Sequence, residues 1–483
     1  MVAVSPPQAS LVHQLDDGAM NPVPLENAGG LVACAVLGCL VVAIANGAND
    51  IANSMGTSFG AGALTLRQAI VYGAAAEFAG AVLLGSSVAK TISKGVINPD
   101  EYAADGCEGV LAFAVGMISV LAGTGSTTLL ATLYGLPISA SHGVIGGLLA
   151  VGLVSHGSAG IGWAPLEQTV IAWVASPLLG GITAGALNFV VITAVHRTRA
   201  PARRAQLLQP LFVAITVAVA VAFILITGPS AVKVRPVGLA VLISCAAGMA
   251  VGLGSIALGP SSRLDQLLRT IRRSETEMET EIEADVEVEI DQVGSPAPPP
   301  DEELATDAEQ PFVPLLILSA MTVAFAHGGN DLGNSIGPLA AVLVAASSGD
   351  IAAPPEIDTW VLLLGAAGFV VGIALLGRRT IETVGGKITK LTPSRSFSVQ
   401  MGTAVAVLSS TMLGLAVSTS HCLVGAVIGV GIVGRLVGED SELNVSMLKK
   451  IVVGWAATIP LAMLVSVLVF KGIMFSYQGG ECA

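Results

Sequence analysis

The sequence predicts an all-α polytopic membrane protein built from two related halves. It is apolar throughout, contains recurring segments of membrane-spanning length, and repeats two polar motifs. Of its 483 residues, 53% are hydrophobic and 12% are charged, and the mean hydropathy is +0.79. A soluble domain carries roughly twice that charged fraction. Too few polar residues remain to build a hydrated shell, so lipid is the expected solvent for much of the surface.

Apolar segments of suitable length recur along the chain, and we expect about 12 membrane segments in all. A helix needs about 20 residues to cross the bilayer, and the shortest segments lie beside the motifs described below. Short segments interrupted by glycine or proline at matching positions of two halves indicate broken helices around a site in mid-membrane. The segments are Leu31–Ile51, Gln68–Ala89, Val110–Ala131, Ser141–Ser155, Leu166–Val195, Pro210–Ile226, Val237–Ile256, Phe312–Phe325, Thr359–Leu376, Val399–Leu415, His421–Val433 and Ile451–Phe470.

Polar stretches set the predicted domain boundaries. We expect a disordered extracellular tail over residues 1–29, an N-terminal transmembrane half over 30–262, an acidic cytoplasmic linker over 263–311, a C-terminal transmembrane half over 312–476 and a second tail over 477–483. Within the linker, every odd position from 275 to 291 is acidic. Nine acids on one face of a strand would repel each other, which favours a solvated linker.

Charge distribution predicts the orientation of the chain and excludes one class of partner. The linker holds 15 of the 34 acidic residues, which accounts for most of the net charge of −12. The basic residues form no stripe of the kind that binds nucleic acid. With the linker in the cytoplasm, 17 of the 22 basic residues lie inside, as topology rules favour. We therefore expect a plasma-membrane protein with both termini extracellular. The five basic residues outside are Lys90, Lys94, Lys233, Arg235 and Lys471.

Two polar motifs recur in the same order in both halves. Residues 47–54 read Gly-Ala-Asn-Asp-Ile-Ala-Asn-Ser, and residues 328–335 read Gly-Gly-Asn-Asp-Leu-Gly-Asn-Ser. A second motif ends in Ser-Ala-Ser-His at residue 142 and in Ser-Thr-Ser-His at residue 421. The copies are 281 residues apart for the first motif (328 − 47) and 279 for the second (421 − 142). In the predicted topology they enter the membrane from opposite sides, which indicates inverted repeats.

The first motif places an acid, Asp50 or Asp331, within or beside an apolar stretch with no lysine or arginine nearby in sequence. A carboxylate in hydrocarbon costs several kcal/mol unless it faces a cavity, a cation or a partner. A bound cation is the simplest compensation. Asn and Ser follow each acid at i+3 and i+4 and share its helical face, offering oxygen ligands that suit Na⁺. The alternative is polar packing between helices.

The second motif supplies hydroxyl groups at the start of a new helical run. Helix N-termini present free N–H groups and a positive dipole end, so two facing ends can bind an anion without a basic residue. The alternative is a pair of ordinary N-caps. His142 and His421 adjoin these clusters. We expect them to hold the hairpins through hydrogen bonds, with proton carrying as the alternative.

Glu77 is an acid inside the apolar span around residues 74–80, with no partner evident in the sequence. Its counterpart in the second half is Gly368, so the two halves are unequal. We expect Glu77 to act in ion coupling or as a gate. No nucleophile–base pair and no cofactor motif is evident, so we expect neither an enzyme nor a cofactor beyond a co-transported ion. A channel and a signalling receptor remain as other classes.

These motifs resemble the inorganic phosphate transporter (PiT) family, whose members are mostly Na⁺- or H⁺-coupled phosphate symporters. The resemblance covers both halves. It rests on both motif pairs, on Glu77-Phe78 with residues 80–85, and on residues 381–385. It implies an inverted-repeat fold with two re-entrant helical hairpins, a homodimer, and one phosphate near the middle of the membrane.

The resemblance also implies site residues. Those expected to bind phosphate are Asp50, Asn53, Ser139, Ala140, Ser141, Asp331, Asn334, Ser418, Thr419 and Ser420, and those expected to bind sodium are Asn49, Asp50, Asn330 and Asp331. The expected coupling or gating residues are Glu77, His142, His421 and Gln400. Two departures stand out. Ala140 offers only its N–H, and Gln400 lies near a position where some relatives carry a second membrane acid.

Together these features predict a sodium-coupled symporter of inorganic phosphate that works by alternating access. Phosphate suits paired aspartates because it usually carries a proton that it can donate to a carboxylate, whereas sulfate does not. An unpaired buried carboxylate facing an anion would discriminate strongly against sulfate. The alternative is a proton-coupled phosphate or sulfate transporter of the same fold, in which Glu77 or the histidines carry the proton.

Overall fold

A computed structural model describes residues 25, 28–228, 232–257, 307–353, 355–387, 391–415, 417–439 and 444–477. The predicted tails, apart from residues 25, 28 and 29 and residue 477, lie outside these ranges, as does the linker up to residue 306. The described helices are α1 Gly29–Gly60, α2 Leu66–Gly95, α3 Pro99–Ala104, α4 Gly106–Leu133, α5 Ala140–His156, α6 Trp163–Val191, α7 Pro201–Thr227, α8 Val237–Ala257, α9 Phe312–Asp331, α10 Gly333–Ser347, α11 Thr359–Lys387, α12 Pro393–Met412, α13 Thr419–Leu436 and α14 Val445–Tyr477.

The described part of the chain is helical, and eleven of its helical segments are long and apolar enough to cross a membrane. This confirms the predicted all-α polytopic fold. Two of the predicted segments differ in the structure. The one that begins at Phe312 is part of a longer span, and the one that begins at Val399 is not among the eleven spans. Helices α9 and α10 follow each other so closely that they count as one span. Helix α12 is not among the eleven, because residues such as Ser394, Ser396 and Gln400 make it more polar.

The two copies of the first motif differ in backbone structure. In the first copy α1 runs unbroken through residues 47–54, so the broken helix predicted there is absent. In the second copy the helix breaks at Leu332, between α9 and α10. At this break the carbonyl of Asp331 accepts a hydrogen bond from Nδ2 of Asn46 at 3.2 Å. The partner on α1 therefore supplies the donor that a continuous helix would have provided internally.

Two helical hairpins carry the second motif: α4 with α5 (hairpin 1) and α12 with α13 (hairpin 2). Both turn at a glycine with positive φ, Gly135 at 65° and Gly414 at 70°, a conformation that glycine adopts without strain. Ser139 and Ser418 then cap α5 and α13, each accepting a hydrogen bond from the backbone three residues on. The hydroxyl clusters therefore do open new helices, as the sequence predicts.

The helices around these hairpins pack backbone against backbone. Helix α1 packs on α11, α2 on α9, hairpin 1 on α14, and hairpin 2 on α6. At the α2–α9 contact a Cβ on Gly80 would collide with the carbonyl of Phe325, and at the hairpin 2–α6 contact a Cβ on Gly425 would collide with Pro177. Such close approach fixes the helices that carry the two motifs at short distance from each other.

Candidate functional site

The two acids of the repeated motif meet at one imidazole. His327 Nε2 lies 3.0 Å from Asp331 Oδ2 and 3.4 Å from Asp50 Oδ2. The two aspartates are each 2% exposed and the histidine 1% exposed. Helix α1 supplies Asp50, while α9 supplies His327 and, one turn later, Asp331. The structure therefore brings together the two acids that the sequence assigned to one site, and it places between them a histidine that the sequence analysis did not name.

The other nitrogen of His327 faces a third carboxylate. Its Nδ1 lies 3.1 Å from Glu77 Oε1 on α2, and Glu77 is fully buried. The prediction that Glu77 has no partner is therefore wrong. A signal was available in the sequence: His327 stands four residues before Asp331, and the equivalent position before Asp50 is Asn46. The second copy of the motif therefore has a histidine where the first copy has an asparagine.

Hairpin 2 brings hydroxyl groups to both acids. Thr419 Oγ1 donates to Asp331 Oδ2 at 3.3 Å, and Ser420 Oγ lies 3.4 Å from Asp50 Oδ1. Asn53 Nδ2 donates to Asp50 Oδ1 at 2.7 Å and also contacts Ser420 Oγ at 3.0 Å. The predicted phosphate-binding groups of the first motif and of hairpin 2 therefore lie in direct contact.

Hairpin 1 meets hairpin 2 through reciprocal hydrogen bonds. Ser141 Oγ donates to the carbonyl of Val417 at 3.2 Å, and Ser420 Oγ donates to the carbonyl of Ile138 at 3.1 Å. Asn334 Nδ2 donates to Ser141 Oγ at 3.2 Å, as Asn53 does to Ser420 in the other copy. The start of α5, including the buried Ala140, therefore faces the start of α13.

The remaining motif residues support the hairpins. Asn49 Nδ2 donates to Thr132 Oγ1 and to the carbonyl of Leu136, both at 3.0 Å, and Asn49 Oδ1 accepts from Ile138 N at 3.0 Å. Asn330 Nδ2 donates to Thr411 Oγ1 at 3.0 Å. These amides hold the hairpin turns, and their role as sodium ligands stays a prediction.

Gln400 ties hairpin 2 to α1. Its Nε2 donates to Thr57 Oγ1 at 2.6 Å and to the carbonyls of Ser54 at 2.8 Å and Asn53 at 3.3 Å. The hydroxyl of Ser54 bonds back to Ile51 within α1, as Ser335 does to Leu332 in the other copy. The structure therefore places Gln400 beside the first copy of the motif. The hydroxyls of Ser54 and Ser335 instead donate to backbone carbonyls within their own segments.

His142 and His421 contact each other behind the hairpin turns. Their ring centroids lie 4.6 Å apart in an edge-on arrangement. His142 also packs on Trp173 of α6 at 4.1 Å, and His421 on Trp455 of α14 at 3.8 Å. Through ring packing, each hairpin is thus joined to the long helix that covers the other hairpin. The expected hydrogen bonds from these two histidines stay a prediction.

The chemistry of this arrangement suits a cation and an oxyanion together. One ligand atom each from Asp50, His327 and Asp331 lies within 4.8 Å of the others, a spacing that can hold a metal ion. The carboxylate oxygens of this group suit a hard cation, whereas the imidazole nitrogen of His327 does not, and N–H groups at two helix starts favour an anion beside them. The buried groups form a site that can offset the charge of a bound cation and that of a bound anion.

Comparison with known proteins identifies related chains. The model of the "Phosphate transporter family" matches residues 46–466. A protein of Pyrococcus abyssi named "Putative phosphate permease" is 34% identical over 445 residues, covering 91% of this chain and 97% of that protein. "Inorganic phosphate transporter 2-1, chloroplastic" of Arabidopsis thaliana is 34% identical over 428 residues, covering 87% of this chain and 68% of that protein.

A solved structure is also similar along nearly its whole length. The structure titled "The sodium-dependent phosphate transporter" is 31% identical to this chain and superposes with a TM-score of 0.75. The match covers 92% of this chain and 99% of the other. At this identity and coverage the two chains share one fold.

Proposed function

Because the chain belongs to the phosphate transporter family, we propose that it is a sodium-coupled symporter that carries inorganic phosphate across the plasma membrane by alternating access. The observation that carries this proposal is the contact between two buried aspartates and the hydroxyl-bearing start of α13. Thr419 contacts Asp331 and Ser420 contacts Asp50. A cation site and an anion site therefore share the same acids.

Phosphate binds, in this proposal, between the starts of α5 and α13. Ser141, Thr419 and Ser420 donate from their hydroxyls, and the first backbone N–H groups of both helices are the further donors. Asn53 and Asn334 reach the two hairpins from the repeated motif. A phosphate proton donated to Asp50 or Asp331 turns an anion–carboxylate repulsion into a hydrogen bond.

Sodium binds, in this proposal, beside the same aspartates and offsets their charge. Two carboxylates and a phosphate would leave several negative charges in a low-dielectric interior, which is costly without cations. Sodium ions bound together with phosphate bring the complex close to neutral. Coupling follows because phosphate binding without the cation, or the reverse, leaves uncompensated charge in the site.

The arrangement in the membrane is part of the proposal. The charge distribution supports inverted repeats with both termini outside and with hairpin 2 opening to the cytoplasm. Cys107, at the start of α4, is disulfide-bonded. Disulfides persist in oxidising compartments, which supports an extracellular position for that end of hairpin 1. We further propose a homodimer, as the family resemblance implies.

A proton-coupled transporter of phosphate is the second candidate, and one observation favours it. Glu77, His327 and the two aspartates form a continuous buried series of groups that can exchange protons. In this alternative a proton takes the role given above to sodium. The site for the anion would be the same.

Uptake of ³²P-phosphate into proteoliposomes separates the two candidates. An inward Na⁺ gradient at equal pH on both sides is compared with an inward proton gradient in Na⁺-free buffer. Sodium coupling predicts fast uptake in the first condition and little in the second. The reverse result would replace sodium with the proton and leave the anion site in place.

A further inference from the structure

A polar cavity of about 310 Å³ lies at the base of hairpin 2. It is bounded by the end of α6 with the π-helical turn Ile192–His196, by the segment before α9, by the start of α12 and by the segment after α13. Of its lining side chains, Ile192 alone is apolar. The lining shares no residue with the site around Asp50 and Asp331, so the cavity is a separate feature of the molecule.

The amide of Asn188, near the end of α6, indicates that the cavity has a polar occupant. This side chain lines the cavity and is 1% exposed. Within the described part of the chain, neither Nδ2 nor Oδ1 of Asn188 has a hydrogen-bond partner. Buried amides are nearly always satisfied by protein or by ordered water, and an exception calls for a water or an ion at the site.

The start of α12 and the segment before α9 supply a row of oxygen atoms to the cavity. Thr392 Oγ1 lies 3.4 Å from Ser394 Oγ, which donates to Glu309 Oε1 at 2.8 Å. Glu309 Oε2 accepts from the backbone N–H of Ser394 at 2.7 Å, so the carboxylate is held in place at both ends. Each carboxylate oxygen can still accept a further hydrogen bond. Oxygen atoms of this kind are the ligands that hard cations prefer.

The charges that line the cavity favour a cation over an anion. The guanidinium of Arg395 pairs with Glu439, at 2.9 Å from Nη2 to Oε2, which leaves the charge of Glu309. His196 Nε2 lies 3.1 Å from Ser394 Oγ, whose proton goes to Glu309, so a neutral imidazole donates there. The lining therefore has one net negative charge. A cation would neutralise it, whereas an anion would add to it.

The volume of the cavity suits a cation that keeps its water. One water occupies about 30 Å³, so an ion with six waters takes up about 180 Å³, whereas a bare ion would leave most of the cavity to other occupants. Mg²⁺ gives up its water reluctantly and is usually bound through one or two carboxylates with several waters retained. Its water ligands can donate to Asn188 Oδ1 and to Glu309, and the remaining space holds further waters for Asn188 Nδ2.

We propose that this cavity binds one hydrated Mg²⁺ ion, through the carboxylate of Glu309, the amide of Asn188 and the hydroxyls of Thr392 and Ser394. The ion would connect the end of α6, the entrance to α9 and the start of α12, and would thereby stabilise their packing. The proposed transport of phosphate and sodium uses other residues, so this site is independent of it.

Thermal unfolding of the full chain in detergent tests the site. The midpoint is measured over a series of MgCl₂ concentrations, each compared with NaCl of equal ionic strength. An ion that binds only the folded state should raise the midpoint by about 2 °C or more at saturation. Asn188→Leu and Glu309→Gln should each abolish this rise. Asp50→Asn, at the other candidate cation site, and Glu167→Gln, an exposed acid on α6, should both keep it.

Three results would overturn the proposal. A midpoint that MgCl₂ raises no more than NaCl would mean that the cavity holds water alone. A rise that persists in both Asn188→Leu and Glu309→Gln would mean that Mg²⁺ binds elsewhere, and a rise lost in Asp50→Asn alone would assign the ion to the aspartates. If Glu309→Gln cannot be purified, Asn188→Leu decides the matter. The measurement needs no transport, so its failure is distinguishable from a failure of sodium coupling in the uptake assay.

Discussion

The imidazole Nδ1 of His327 lies 3.1 Å from Oε1 of Glu77, while Nε2 of the same ring faces both aspartates. A carboxylate on α2 therefore orients the ring that Asp50 and Asp331 share. Asn46 occupies the equivalent position in the first half and contacts only the backbone of Asp331 among these acids. The repeated motif thus forms a site whose two sides have different chemistry.

Replacing His327 with the residue of the other repeat tests this asymmetry. His327→Asn leaves three buried carboxylates without their shared partner, and removing one member of a buried charged network costs roughly 3–5 kcal/mol. We expect phosphate uptake to fall by at least about tenfold. The measurement is ³²P uptake normalised to membrane-inserted protein. His156→Asn is the control, because its partner Asp105 is largely exposed. Full uptake by His327→Asn would contradict a role for the ring.

Glu77→Gln keeps the shape of the side chain and removes its charge. Because Glu77 contacts the aspartates only through His327, we expect a changed response to sodium more than a changed affinity for phosphate. The measurement is the Na⁺ concentration for half-maximal uptake at saturating phosphate, with a predicted shift of at least about threefold. Glu167→Gln, an exposed acid on α6, serves as the control. An unchanged sodium response with a normal maximal rate would exclude coupling through Glu77.

Ser420→Ala removes a hydroxyl that contacts both Asp50 and the backbone of Ile138. One lost hydrogen bond to a charged ligand costs about 1.5–3 kcal/mol, so the KM for phosphate should rise at least about tenfold. Ser410→Ala is the matched control, because that hydroxyl bonds back to Ala406 within its own helix. A phosphate KM that stays at the wild-type value would remove Ser420 from the anion site.

Gln400→Ala tests a tie between hairpin 2 and α1. The change removes three contacts from one buried nitrogen, and we expect a loss of roughly 1–3 kcal/mol in stability. The midpoint of thermal unfolding in detergent should fall by several degrees. Gln168→Ala, on the exposed face of α6, should leave it unchanged. Equal midpoints for the two variants would show that Gln400 does not hold hairpin 2.

The sequence predicted the membrane fold and most of the residues that the structure brings together around Asp50 and Asp331, because the signals for both repeat. Asp50 and Asp331 stand out because an acid in an apolar run is costly, and the duplicated hydroxyl clusters stand out because each opens a helix. His327 is hard to recognise as the compensating group because histidine, unlike lysine and arginine, is not always charged, and Asp50 and Glu77 reach it only in the packed structure. Its place one turn before Asp331 was nevertheless visible in the sequence.

Other parts of the site depend on contacts that no local pattern contains. Gln400 bonds to backbone atoms of α1 about 345 positions earlier in the chain, which only the packed structure brings together. Likewise, α1 stays continuous through its motif while the second copy breaks at Leu332. The side chain that donates to the carbonyl of Asp331 at this break, Asn46, belongs to the other half of the molecule.

Asp50→Asn in the sodium-gradient uptake assay tests the central claim, that the paired aspartates form one site for the cation and phosphate. The substitution keeps the size of the side chain and removes the charge that sodium and the phosphate proton both require. We predict that protein is inserted and elutes as a single species in gel filtration, but that Na⁺-driven ³²P uptake falls to the level of empty liposomes. Normal Na⁺-driven uptake by Asp50→Asn would contradict the claim.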